Sequence, residues 1–224
     1  MELQERVVVK MQQAPAKTFD AATFLVSVGP KKRDISFPAR TLIFSAGEPS
    51  DSIFYIEKGA VKLTVTSRQG KEAIIGVLSR GDFFGESCIA PDQPVRFHTA
   101  VALTDLRAVK IDRTIMIRAL LSGGEACYGF VTYLLGRNTR ISADLVNNLI
   151  DSSEERLARA LFFLAQPGRL DFASNVSQQT LAEMIGTTRQ RVNVLMKRFK
   201  SSGLIDCSHG LKVNDSLRSV FGND

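Results

Sequence analysis

Between Lys32 and Asp112 the apolar residues come in short runs, several alternating with polar neighbours at a period of two. That period sends successive side chains to opposite faces of a strand. The pattern therefore predicts strands at Arg33–Phe37, Thr41–Phe44, Ser52–Glu57, Ala60–Ser67, Glu72–Leu78, Val95–Ala102 and Arg107–Asp112. Gly47, Gly59, Gly70 and Gly81 fall between these runs, and the stretch from Ile53 to Val65 reads as a hairpin reversing at Gly59. Many short strands joined by turns indicate a small barrel or sandwich. Residues 1–20 hold no period and read as a short helix or a loose arm.

After Asp112 the period becomes helical. Arg113–Leu121 forms a short helix stopped by Gly123-Gly124, and Glu125–Ile150 a long one without proline. Along the long helix Val131, Leu134, Asn138, Ile141, Leu145 and Asn148 follow a 3,4 spacing, the seam of a paired helix. Asparagines in such a seam cost stability and fix register.

A new segment opens at Asp151-Ser-Ser-Glu-Glu, a helix start signature before Leu157, Leu161, Phe162 and Leu164. Pro167-Gly168 closes that helix, and Arg169–Val176 is a loop or a weak strand. Ser177 caps a helix over Gln178–Ile185, Gly186 ends it, and Thr187 or Thr188 caps the next, which runs to about Ser201. Val192, Leu195, Met196 and Phe199 make its inner face. Two helices across a tight glycine turn form a helix-turn-helix. Asp206–Val213, turning at His209-Gly210, reads as a wing behind it.

Composition narrows the class. With 44% hydrophobic and 23% charged residues the chain is ordinary globular material. No apolar run approaches the about 20 residues that span a bilayer, and the opening MELQERVVVK is unlike a signal peptide, so a cytoplasmic protein without membrane contact is expected. Three cysteines, Cys88, Cys127 and Cys207, are too few and too scattered for a disulfide framework or a Cys-rich metal site. The net charge of +6 is spread over both halves, but Thr187–Lys200 concentrates five basic residues and no acid. A basic second helix with a wing behind it points to double-stranded DNA.

Over nearly its whole length the chain resembles the CRP/FNR family of bacterial transcription regulators. The DNA-binding half carries the more specific match, Thr180-Leu-Ala-Glu-Met-Ile-Gly-Thr-Thr-Arg-Gln-Arg-Val-Asn193. In the first half Phe84-Gly85-Glu86, followed ten residues later by Arg96, resembles the family's phosphate-binding cassette. The resemblance implies an α+β fold in three parts: a β-roll sensor over 1–124, a dimerisation helix over 125–150 with Val131, Leu134, Asn138, Ile141 and Leu145 in the seam, and a winged helix-turn-helix over 151–224. It also implies a nucleotide pocket made by Gly85, Glu86, Arg96, Arg137 and Ser142. A glycine permits close backbone approach, and an arginine fork matches phosphate oxygens. Phe97, where cyclic-AMP binders place a small hydroxyl residue, and Ile141, where a threonine would meet the base, depart from that pattern. Two readings of the roll stay open: a site for a cyclic nucleotide such as cyclic AMP, or a nucleotide-free roll, ligand-independent or redox-responsive, that keeps Glu86 and Arg96 as an internal ion pair.

On the recognition helix Arg189 matches guanine O6 and N7, and Gln190 and Asn193 match adenine. Arg191 reaches phosphate or base, and Thr188, Lys197 and Lys200 reach phosphates. Val194 stands where relatives often carry arginine. A homodimer would present two such helices to an inverted repeat, and an activator would also meet RNA polymerase. Glu86, Cys88 and His98 are close in sequence, yet no nucleophile elbow, paired ligand spacing or P-loop accompanies them, so neither catalysis nor a metal is expected. His98 reads as a strand residue and Cys88 as a buried thiol.

Overall fold

The computed structural model describes residues 24–26, 28–29, 32–70, 72–165, 176–206, 208 and 211–222. The arm at 1–20, the stop at Pro167-Gly168, residues 169–175, Cys207 and the wing turn at His209-Gly210 lie outside them.

Eight strands build the first half: β1 (Arg33–Phe37), β2 (Leu42–Phe44), β3 (Ser52–Lys58), β4 (Ala60–Thr66), β5 (Glu72–Ser79), β6 (Phe83–Phe84), β7 (Thr99–Ala102) and β8 (Leu106–Asp112). They pair antiparallel in two four-stranded sheets, ordered β1-β8-β3-β6 and β2-β7-β4-β5. Phe44, Phe54, Ile56, Val61, Leu63, Phe84, Ala100 and Ala108 fill the space between the sheets. β3 is apolar on both faces for a reason. Phe54 and Ile56 enter that core, whereas Ile53 points to the opposite side, among Phe24, Phe83, Ile111, Met116 and Phe130.

Two expectations shift here. Phe83 and Phe84 form an unforeseen two-residue strand paired to Tyr55 and Phe54. The strand expected from Val95 begins only at Thr99, because Arg96 spends its backbone on Glu48 and Gly47 and Val95 pairs with Pro49. The hairpin at Gly59 is as expected. Gly59 has φ +92, and a Cβ there would collide with the Asp105 carbonyl. Its neighbour Ala60 is tied to that loop by an N–H bond to Thr104 Oγ1 at 3.0 Å.

Helix α1 (Arg113–Leu121) leads through Gly123 into α2 (Gly124–Ile150), then α3 (Ser153–Leu164), α4 (Gln178–Met184) and α5 (Arg189–Ser201). Ser152 starts α3 with a full capping box to Glu155, Ser177 caps α4 and Thr188 caps α5. Gly186, at φ 64, supplies the left-handed turn between α4 and α5. Behind them β9 (Ile205–Asp206) and β10 (Lys212–Val213) pair antiparallel as the base of the wing. Leu157, Leu161, Leu164, Leu181, Val192, Leu195 and Phe199 form one core, joined by Ala60, Val77 and Leu103 of the roll.

The junction of α2 and α3 is pinned from within. Arg156 donates to the carbonyls of Asn148 and Asp151 at 3.0 and 3.2 Å, and Arg159 pairs with Asp151 at 3.0 Å.

Gly59→Ala should destabilise the protein by about 2 kcal/mol or more, combining a left-handed φ with a backbone clash. Urea unfolding measures it, and an unchanged midpoint would show that the turn is looser than described.

Candidate effector site and nucleic-acid interface

The cassette is built around a buried guanidinium. Arg96 is 4% exposed. Its Nη1 donates to the carbonyls of Ser52 and Gly85 at 2.8 and 3.2 Å, and its Nη2 donates to Ser52 Oγ at 2.9 Å. Ser52 in turn donates to Asp51 at 2.7 Å, and Asp51 lies 3.6 Å from Arg96. The guanidinium stacks 4.3 Å over the Phe44 ring. This explains Gly85: at φ +77, a Cβ there would meet Arg96 Nη1 at 2.6 Å. Burial lowers the pKa of Arg96 from its ordinary value.

Glu86 opens the short 3-10 turn Glu86–Ile89 and reaches the long helix, pairing with Arg137 at 3.1 Å. Arg137 also donates to the Phe83 carbonyl at 2.8 Å, and the Phe83 N–H donates to Tyr133 Oη at 2.8 Å. Burial pushes the Tyr133 hydroxyl up to about 12, so it stays protonated at neutral pH. Three bonds thus fasten α2 to β6 and the cassette. The ion pair expected between Glu86 and Arg96 is not formed: Glu86 takes Arg137 and Arg96 takes Ser52.

Ser142 is exposed on α2. Phe97 is 69% exposed and does not fill the cassette. His98 is buried beside Phe44, and burial holds its pKa below 6.5. Cys88 is buried, with its thiol pushed up to about 11 by that burial, which leaves almost no thiolate for redox chemistry near neutral pH.

The fit to a cyclic nucleotide can be tested on these atoms. Glu86 Oε2 and Arg96 Nε are buried without a hydrogen-bond partner among the described residues. An orphaned carboxylate oxygen suits a ribose hydroxyl, which must donate. Phosphate would meet an arginine whose terminal nitrogens already serve Ser52 and Gly85. The residues fit the sugar directly, and the phosphate through Arg96 Nε or by exchange of those bonds.

Along α2, Val131, Asn138, Ile141 and Leu145 of the expected seam are exposed. Leu134 is not: it is half-buried against the core around Phe24 and Phe130. Leu135 stands on the outer face instead, in a stripe with Tyr128, Val131, Leu145, Val146 and Leu149. Four of the five expected positions thus keep an outward face, and the packing of Phe130 and Tyr133 on the roll turns Leu134 inward.

On α5, Thr188, Arg189, Gln190, Arg191, Lys197 and Lys200 are exposed and Asn193 is half-buried. Val192, Leu195 and Phe199 anchor the helix to α3 and α4. The Thr188 hydroxyl accepts from the Arg191 N–H at 3.2 Å and keeps its own hydrogen to donate. Two contacts escaped the sequence reading. Arg191 Nε donates to Ser153 Oγ at 3.2 Å, and Arg198 pairs with Glu154 at 2.9 Å. Both partners sit in the first turn of α3, distant in sequence from α5.

Residues 34–122 match the cyclic nucleotide-binding domain family, and residues 155–216 the Crp-like helix-turn-helix domain. A CRP-like cAMP-activated global transcriptional regulator of Mycobacterium tuberculosis is 28% identical over 177 residues, 76% of this chain and 79% of the relative. The cAMP-activated global transcriptional regulator CRP of Pasteurella multocida is 26% identical over 181 residues, 78% of this chain and 85% of the relative. Among solved structures, the c-di-GMP responsive global regulator CLP of Xanthomonas campestris superposes with a TM-score of 0.72 at 18% identity, covering 90% of this chain and 100% of that one. A CRP-family transcriptional regulator from Thermus thermophilus gives 0.72 at 22% identity, over 84% of this chain and 97% of that one. At such identities the structural likeness speaks for the fold alone.

His98 supplies a pH signature. Its folded pKa lies below the unfolded value, so the unfolded chain binds the extra proton first as pH drops. The stability it contributes is full above about pH 6.5 and is lost as pH falls through the folded pKa. His98→Gln should flatten the dependence of unfolding free energy on pH below 6.5 relative to the native chain. Parallel curves for the two proteins would rule this out.

Proposed function

We propose, from the premise that this chain belongs to the CRP/FNR family of transcription regulators, that it is a homodimeric, sequence-specific DNA-binding regulator whose β-roll takes a cyclic nucleotide. The division into a roll over 1–124, a dimer helix over 125–150 and a winged helix over 151–224 is part of this reading. Its partner is a DNA inverted repeat, its compartment the cytoplasm, and its role regulatory rather than enzymatic.

The observation that carries the DNA half is the exposed run Arg189, Gln190 and Arg191 in the first turn of α5, with Lys197 and Lys200 further along and the buried face anchored to α3 and α4. Arg189 presents a fork for guanine, while Gln190 and Asn193 suit adenine. Val194, exposed on the same helix, offers only apolar contact, such as a thymine methyl. The exposed stripe on α2 supports pairing with a second copy, since contiguous apolar surface on a helix marks an interface. Paired helices would set two copies of α5 one DNA turn apart, and an activator would also touch RNA polymerase.

For the roll, the carrying observation is the buried Glu86 Oε2, which has no hydrogen-bond partner among the described residues. A bound nucleotide supplies a hydroxyl donor there and an anion beside Arg96. Gly85 allows close approach to the cassette backbone, and Ser142 on α2 is available to the base. A donor at Oε2 would weaken the hold of Glu86 on Arg137 and so bear on the long helix. A second reading, a nucleotide-free roll, rests on the engaged terminal nitrogens of Arg96. The deeply buried thiol of Cys88 speaks against a redox trigger.

Calorimetric titration with cyclic AMP and then cyclic GMP separates the two readings of the roll. Saturable heat that is lost in Glu86→Gln supports the first. No heat from either nucleotide, in a protein shown to be a dimer, leaves the second. For the DNA half, Arg189→Ala should cost about 1–3 kcal/mol at a selected operator and relax preference at one base pair. Unchanged affinity by fluorescence anisotropy would remove Arg189 from the base contacts.

A further inference from the structure

The basic side chains of α5 are electrostatically unequal. Arg191 and Arg198 stand seven residues apart, about two turns, on one flank of the helix. Both reach the first turn of α3, where each meets a different chemistry. Arg198 Nη1 donates to the carboxylate of Glu154 at 2.9 Å. Arg191 Nε donates to the hydroxyl of Ser153 at 3.2 Å. A carboxylate cancels the charge it binds. A hydroxyl fixes the side chain but leaves the charge intact and both terminal nitrogens free to fork onto a phosphate. The neighbouring acid Glu155 is folded back into the capping box with Ser152. No ion pair among the described residues involves Arg189, Lys197 or Lys200.

We propose that Ser153 and Glu154 sort the cations of the recognition helix: Ser153 positions Arg191 for a DNA phosphate, and Glu154 masks Arg198. Arg191 then contributes to counterion release on binding and Arg198 does not. Masking one cation per protomer lowers affinity by about the same factor for every sequence, reduces the salt dependence of binding and leaves base contacts untouched. The inference rests on the DNA-binding reading above, and Ser153 acts here as a positioning residue.

The test is the slope of log K against log salt for the full chain on a labelled duplex of mixed sequence, followed by fluorescence anisotropy. Glu154→Gln should steepen the slope by about 0.9 for each bound half-site. Adding Arg198→Ala to that variant should return the slope to the native value. Arg191→Ala should make the native slope shallower by about 0.9 per half-site. Ser153→Ala should weaken binding several-fold with an unchanged slope, because the charge remains and only its placement is lost. Glu154→Ser serves as a second unmasking variant if glutamine perturbs the start of α3.

An unchanged slope in both Glu154 variants would overturn the masking. So would a double variant shallower than the native protein, since Arg198 would then already be meeting a phosphate. Full affinity in Ser153→Ala would overturn the positioning. A native protein with no salt-dependent binding at all would instead defeat the DNA-binding reading, and this proposal with it.

Discussion

A largely buried carboxylate, Glu86, joins the roll to the long helix through Arg137, and the seating of that helix on the cassette depends on the joint. Taking two charges out of water is expensive, and their attraction offsets the cost only when further hydrogen bonds satisfy them. Arg137 is satisfied, with the Phe83 carbonyl as a second acceptor. Among the described residues Glu86 is satisfied on one oxygen alone. The joint is therefore strong in position and incomplete in hydrogen bonding. Such an arrangement is competent to respond to a ligand, because a donor arriving at the free oxygen alters the pair without first dismantling it.

The joint needs a firm base, and Arg96 provides it. Its bonds to Ser52 and Gly85 tie β3 to the turn that presents Glu86, and Phe44 covers the guanidinium. A cation in this place has two uses that compete. As a brace it holds the backbone of the cassette, and as a phosphate partner it must turn some donors outward. Gly85 is compatible with both, since it gives the guanidinium room and leaves the backbone approachable.

Much of this was legible in the residues. Period-two runs located β1 at both its ends, and β3, β4 and β5 to within a residue or so, because alternation and glycine turns are local properties. The same holds for the caps at Ser177 and Thr188, where a side-chain oxygen meets an N–H three residues on. The failures share a cause. Phe83 and Phe84 become a strand only because Phe54 and Tyr55 lie alongside. Arg96 leaves the strand expected of it because Glu48 takes its N–H. Leu134 turns toward the roll because a 3,4 pattern does not say which edge of a helix meets its own domain. The pairing of Glu86 with Arg137 rather than Arg96 is of the same kind. Tertiary partners decide each case, and no local pattern encodes them.

The remaining question is how an event at the joint could reach DNA, and the α2–α3 junction bears on it. Arg156 and Arg159 clamp the end of α2 to the start of α3 through Asn148 and Asp151, and Arg159 also donates to the Phe221 carbonyl at 3.4 Å. Motion of α2 would therefore be carried into α3 rather than absorbed by a slack linker. The first turn of α3 is also where Ser153 and Glu154 hold Arg191 and Arg198. A shift of the long helix thus acts on the seating of the recognition helix's flanking cations as well as on the position of the whole winged helix. In the proposed dimer, affinity for phosphate and the spacing of the two recognition helices would change together, which is what a ligand-controlled regulator requires if its free form is to release DNA of every sequence and not merely misread its operator.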